Sequence, residues 1–417
     1  MRIELRSWLW KGLFSATCFV AVAFYFVFSL RPWLAAREAA VLDVPHLQKA
    51  IRLEPGNAKY HEFLAESLGQ SGANSNQAIA NYQTAVHLNP YDARSWLDLA
   101  GAYQIAGRTD AQAESVERAV EADPNTPQVA WEAANFFLLQ GDYEKALRHF
   151  GVVMANDPQL VDASLQLCWR VTADATRMVT EVLPPNPEVY ISFLRLLVSK
   201  QEVGAAEIVW THLIGLNQEF STKQTFPYFR LLIAKEEVAV AQTAWQQAAT
   251  VNRSLQSYLP SGQNLIVNGS FEENVLNGGF DWWYQSNPHA ALAIDSSEFS
   301  RGTRSLSIAF DGFNPGELGI FQFVPVKPNT DYEFTAAYRA EELDTASGPR
   351  FSISDPYSNT SYVLSDDILG TNPWRQEQAQ FHTGPNAKLV LVKIVRQPQD
   401  ALIRGKLWID DLKITEK

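Results

Sequence analysis

The sequence predicts a multidomain chain: an N-terminal transmembrane helix, an all-α solenoid of helical repeats, and a C-terminal all-β sandwich. Three observations carry this. A run of 19 residues from Gly12 to Leu30 holds no charge. Pro55, Pro90, Pro124 and Pro158 recur at intervals of 35, 34 and 34 residues. Past Pro260 the composition turns to Gly, Asn, Ser and alternating apolar residues, which is the pattern of short half-buried strands.

At about 1.5 Å per residue, residues 12–30 extend about 28 Å, enough to cross the hydrocarbon core of a bilayer. Arg2, Arg6 and Lys11 precede the run and Arg31 and Arg37 follow it, so residues 1–11 are expected in the cytoplasm. Trp8, Trp10 and Trp33 fall where interfacial aromatics sit. The rival reading is a signal peptide cut near Ala35-Ala36, but the run is longer than the apolar segment of such a peptide. The expected location is therefore the inner (cytoplasmic) membrane, single-pass, with the bulk of the chain periplasmic or extracellular.

Pro124 to Pro158 reads as two amphipathic helices, the first carrying Trp131, Ala134 and Phe137, the second Tyr143, Ala146, Phe150 and Val153, with a turn at Gly141-Asp142. The two preceding units place Trp96, Leu99, Ala100, Tyr103, Gly107 and Ala119, and Leu64, Ala65, Leu68, Gly72, Ala78, Tyr82 and Ala85, in the same phase. A pair of this kind leaves one apolar face uncovered and gains stability by stacking on its neighbours. The pattern resembles the tetratricopeptide repeat family, which implies a concave face that binds proteins. Val44 to Leu53 is expected to cap the row. A second dialect aligns 193–217 with 228–252 at an offset of 35, pairing Arg195/Arg230, Lys200/Lys235, Ala206/Ala241 and Trp210/Trp245. One solenoid over residues 44–255 is the reading, with an irregular joint near 172–188. The paired Arg and Lys are read as a solvated face rather than a peptide clamp.

Strands are expected at 305–310, 319–326, 332–339, 350–354, 379–382, 388–395 and 406–414, an antiparallel sandwich over residues 264–417. Here N-L-I-V-N-G-S-F-E-E at 264–273, G-G-F-D-W-W-Y at 278–284, T-N-P-W at 371–374 and L-W-I-D-D-L at 407–412 resemble the jelly-roll carbohydrate-binding modules of the family 4/9 and 22 type. The resemblance implies aromatic rings that stack on sugar, with polar side chains fixing the hydroxyls. Candidates are Trp282, Trp283, Tyr284, Phe313, Tyr357 and Trp374, with Arg350, Asp355, Asn359 and Gln322 beside them. Strand alternation sends one of Trp282 and Trp283 into the core. The same resemblance implies a structural calcium, held by Asn268, Glu272, Asp410 and Asp411, whose oxygens suit a hard cation.

The net charge of -12 argues against a nucleic-acid surface, and two cysteines make no disulfide framework. There is no P-loop, nucleophile elbow or zinc signature, so no catalytic residue is expected. The expected function is a membrane-anchored scaffold of the bacterial envelope. It binds proteins through the solenoid and glycan through the sandwich, in assembly or export of a surface polysaccharide. A protein-only adaptor with a non-binding sandwich and a glycan-processing enzyme are the alternatives.

Overall fold

The computed structural model describes residues 8–69 and 74–417. Arg2 and Arg6, and the turn glycine Gly72, lie outside the described residues. The chain divides into two compact units: Met1–Ala173 with Thr180–Pro184, and Asp174–Val179 with Pro185–Lys417.

In the first unit one apolar helical rod runs from Trp8 to Ala39, long and apolar enough to cross a membrane. None of Trp8–Tyr25 is buried. The far end differs: Ala35 and Ala39 pack with Leu47 and Ala50 of the helix Val44–Leu53, in a cluster that also holds Tyr60 and Leu64. That helix starts at Asp43, whose carboxylate accepts the His46 N–H, satisfying a donor that the first turn leaves open.

Three antiparallel helical hairpins follow, Ala58–Gly69 with Ser75–Leu88, Ala93–Ile105 with Thr109–Ala122, and Pro127–Gln140 with Tyr143–Asn156. The residues that recur in phase are the buried ones: Leu64, Ala65 and Ala78, then Leu99, Ala100 and Ala119, then Ala134, Phe137 and Ala146. The periodic prolines act one step ahead of themselves. Pro Cδ crowds the preceding residue out of the helical region, and Glu54, Asn89, Asp123 and Asp157 accordingly take ψ of 76, 84, 91 and 99°. Each helix therefore ends two residues before its proline. Gly107 and Gly141 turn the second and third hairpins at φ of 68 and 78°, where a Cβ is costly.

Past Pro158 the helix Val161–Thr172 stops at Ala173, and 172–188, which looks unpartnered in sequence, contains a helical turn with Met178, Val179 and Val182 buried. Its pattern is illegible because a π-turn at Met178–Val182 shifts the helical period.

The second unit opens with two hairpins, Pro187–Ser199 with Val203–Gly215 and Thr222–Ala234 with Val238–Val251. Their turns use Gln201 and Glu236 at φ of 61 and 62° in place of glycine. Trp210 and Trp245 are both buried.

The sandwich of the same unit has nine antiparallel strands: β1 (Ala290–Asp295), β2 (Ser305–Asp311), β3 (Ile320–Pro325), β4 (Asp331–Thr345), β5 (Pro349–Ser354), β6 (Ser361–Leu364), β7 (Gly370–His382), β8 (Leu389–Arg396) and β9 (Ile403–Glu416). Their order is β1-β2-β9-β4-β7 in one sheet and β3-β8-β5-β6 in the other. Inward residues such as Ile308, Val324, Phe334, Phe351, Val392 and Ile409 make one core. All seven expected strands are present. β6 escapes the sequence because it has only four residues and β1 because its Ala-Ala-Leu-Ala-Ile run does not alternate with polar residues, while β4 and β7 outrun it because register shifts at Tyr338 and Ala340 interrupt the alternation. Pro373 is tolerated because β7 is an edge strand.

Candidate functional site

Trp282 and Trp283 leave the backbone in opposite directions. Trp282 is 1% exposed, its ring against Phe271 and its Nε1–H donating 3.2 Å to the Asn268 carbonyl. It is a core residue, which corrects the expectation that it touches ligand. Trp283 instead forms a backbone bridge with Phe321, N–H to carbonyl 2.7 and 3.0 Å in the two directions. The bridge stands their rings parallel on the outer face of β3, centroids 6.0 Å apart at 3°.

β3 alternates Ile320, Gln322 and Val324 inward with Phe321 and Phe323 outward. Gln322 is fully buried and exchanges hydrogen bonds of 3.0 and 2.8 Å with the Val267 backbone. It therefore clamps the first segment of the domain rather than meeting a ligand.

The outward aromatics line a cleft of about 440 Å³, together with Tyr284, Gln285, Tyr357 and, from the helix Thr222–Ala234, Arg230 and Ile233. That volume is within the range of small-ligand clefts, about 300–1,000 Å³. The Arg230 guanidinium stands 5.5 Å from the Trp283 ring centroid, and Phe226 flanks the same indole at 6.5 Å. Tyr357 Oη donates 2.8 Å to the Ile233 carbonyl, tying loop to helix. Burial, with the Glu236 and Asp355 carboxylates nearby, pushes the Tyr357 hydroxyl up to about 12, so it stays a neutral donor at physiological pH.

The remaining candidates lie elsewhere. Asp355 is buried and accepts the Tyr357 and Ser358 N–H groups at 2.8 and 3.1 Å, so it shapes the loop below the cleft. Arg350 faces Asp367 at 3.6 Å and the Ser365 carbonyl. Phe313 is 61% exposed and packs on His289, on a different loop. Trp374 is half-buried on β7, and Asn359 is exposed. The structure thus gathers Trp283, Tyr284 and Tyr357 and leaves Phe313, Arg350 and Trp374 apart. Arg230, Phe321, Phe323 and Gln285 are additions. The two phenylalanines were legible as the outward parity of β3, whereas Arg230, read as part of a solvated ladder, carries no local signal of its role.

The residues expected to share calcium do different work. Glu272 accepts the Thr303 N–H at 2.7 Å and its hydroxyl at 2.6 Å, while Asp410 accepts the Ser300 and Arg301 N–H groups at 2.8 Å. Both strap one loop down through backbone donors. Asn268 bonds the Glu273 backbone, and Asp411 pairs with Lys413 at 2.8 Å. Among the described residues no group of three acidic, His or Cys side chains is placed to hold a metal ion. The four do not form a ligand set for the ion as arranged, because amide donors and a lysine already meet their charge.

A further carboxylate holds the segment that carries Trp283. Asp281 is fully buried, accepts the Leu276 N–H at 2.6 Å, and is pushed by burial up to about 7.

Residues 263–401 match the family model described as a carbohydrate binding domain of the CBM4/9 type. The match covers β1 to β8 of the C-terminal sandwich. Among solved structures, a CBM4 module is 13% identical, covering 36% of this chain and 99% of its own, with a TM-score of 0.28. A family 16 carbohydrate binding module is 20% identical, covering 37% and 100%, with a TM-score of 0.28. The CBM22-1 xylan-binding domain from Paenibacillus barcinonensis is 12% identical, covering 36% and 91%, with a TM-score of 0.25. No curated protein matches the chain.

Proposed function

We propose that this chain is a membrane-tethered scaffold of the bacterial envelope that binds glycan at the Trp283 cleft and proteins through its tetratricopeptide-type hairpins. The carrying observation is the coincidence of the carbohydrate-domain match with a cleft walled by Trp283, Tyr284, Phe321, Phe323 and Tyr357. Ring faces and edges of this kind suit the apolar face of a pyranose, and the Gln285 amide beside them suits its hydroxyls. The apolar stretch Trp8–Leu30 of the rod, none of it buried, supports tethering, since so much uncovered apolar surface is unfavourable in water. The proposed role is recruitment in assembly or export of a surface polysaccharide, through binding rather than catalysis.

A second reading, a protein-only adaptor whose sandwich is a cap, is favoured by one observation: Phe226 and Arg230 already flank Trp283. Glycan-array binding by the detergent-extracted full chain separates the two. The expected result is a signal that is lost in both Trp283→Ala and the more exposed Tyr284→Ala. Signal unchanged in both variants overturns the cleft as the site, and no signal from the parent chain leaves the cap reading.

A further inference from the structure

We infer that the glycan seated in this cleft is acidic, its carboxylate or equivalent anion paired with Arg230; the inference rests on the glycan reading above. Arg230 comes from the repeat helix Thr222–Ala234, not from the sandwich, so two structural elements of the same compact unit complete one site. Its guanidinium is exposed, lies over the Trp283 ring at 5.5 Å, and lines the cleft together with Tyr284 and Tyr357. Among the described residues it makes no ion pair with a carboxylate.

That isolation is informative against its neighbours. Lys393, on β8 directly across from Phe321 and on the same outer face, is committed to Glu317 at 3.5 Å; Lys388 faces Glu236 at 3.9 Å; Arg350 faces Asp367. Asp355 is committed to backbone N–H groups. The cleft therefore presents one uncommitted planar cation on an aromatic floor. A guanidinium over an indole face still has N–H groups to offer an anion. The guanidinium fork matches a carboxylate in two parallel hydrogen bonds. A uronic acid satisfies both demands at once, with a pyranose face for the aromatics and a C6 carboxylate for Arg230. A neutral hexose meets only the first.

The test uses the full-length chain in detergent and calorimetric titration with oligomers of galacturonate, mannuronate and glucuronate, each beside its methyl ester, and with neutral gluco- and xylo-oligomers. At least one acidic oligomer is expected to bind about tenfold tighter than its ester, with the advantage shrinking as salt rises. Arg230→Gln should abolish the difference and Arg230→Lys should retain part of it, both at an unchanged melting temperature. Equal binding of acid and ester, or an acid preference that survives Arg230→Gln, overturns the inference and leaves the glycan reading standing. Binding of neutral oligomers alone does the same. Failure of every oligomer, charged and neutral, overturns both.

Discussion

Trp210 and Trp245 occupy the same position in two successive hairpins, and their surroundings differ in one respect. Trp210 is covered by the hairpin that follows it: Tyr228 stacks at 5.3 Å, Phe229 meets it edge-on, and Gln247 accepts its Nε1–H at 2.9 Å. Trp245 has no following hairpin. It donates to the Tyr258 carbonyl at 2.9 Å, meets Phe280 of the sandwich at 6.2 Å, and lies directly against Gly279. A row of repeats needs its last apolar face closed, and in this unit the β-domain closes it. Arg195 and Arg230 differ in the same way. Arg195 bonds Ser192 one turn away, whereas Arg230 has the aromatic face of the sandwich in front of it.

The comparison is broken most sharply by truncating each indole. Trp210→Ala and Trp245→Ala should each cost about 3–5 kcal/mol in chemical denaturation. Only Trp245→Ala should also expose the 274–285 segment to limited proteolysis. Equal protection in the two variants would mean that the sandwich loop does not depend on the hairpin.

Asp281 sharpens the comparison through pH. The folded carboxyl, raised to about 7 from 3.8, binds its proton over a range in which the unfolded one has lost it. The stability from the buried neutral form is thus fully present below about pH 4 and is lost as pH rises through about 7. Asp281→Asn, which stays neutral, should leave the melting temperature nearly unchanged at about pH 4 and raise it at about pH 8, by an amount corresponding to roughly 2–4 kcal/mol. A gain independent of pH would remove the titration from the account.

The smallest effect concerns the turns. Gly141→Ala should cost about 1 kcal/mol, while Gln201→Gly, which relieves the same left-handed geometry in the second dialect, should gain up to about 1 kcal/mol. Paired thermal melts of the two variants check the opposite signs.

These regions were not equally legible in the sequence. The first hairpins were, because a proline acts on its immediate neighbour and an alanine admits a bulky partner at fixed spacing, both local rules. The parity of strands announced that Trp282 and Trp283 diverge but not which one turns inward, since that depends on the Phe321 bridge across the sheet. Trp283, Tyr284 and Tyr357 were readable as surface aromatics of a sandwich. Arg230 was not, because its partner lies 53 positions further along and no periodicity reports a helix meeting a strand. The acids expected around calcium meet a related limit: a carboxylate that accepts backbone N–H groups looks the same in sequence as one that binds a cation.

Gly278 and Gly279 set a limit on how this chain can be rebuilt. A methyl at Gly278 would lie 1.9 Å from the Phe226 ring, and one at Gly279 2.2 Å from that of Trp245. The seam between helix and sheet therefore has the thickness of bare backbone. Transplanting the sandwich onto another array, or trading it for a relative with side chains at those two places, must carry the matching helix surface along, so the two parts are exchangeable only as a set.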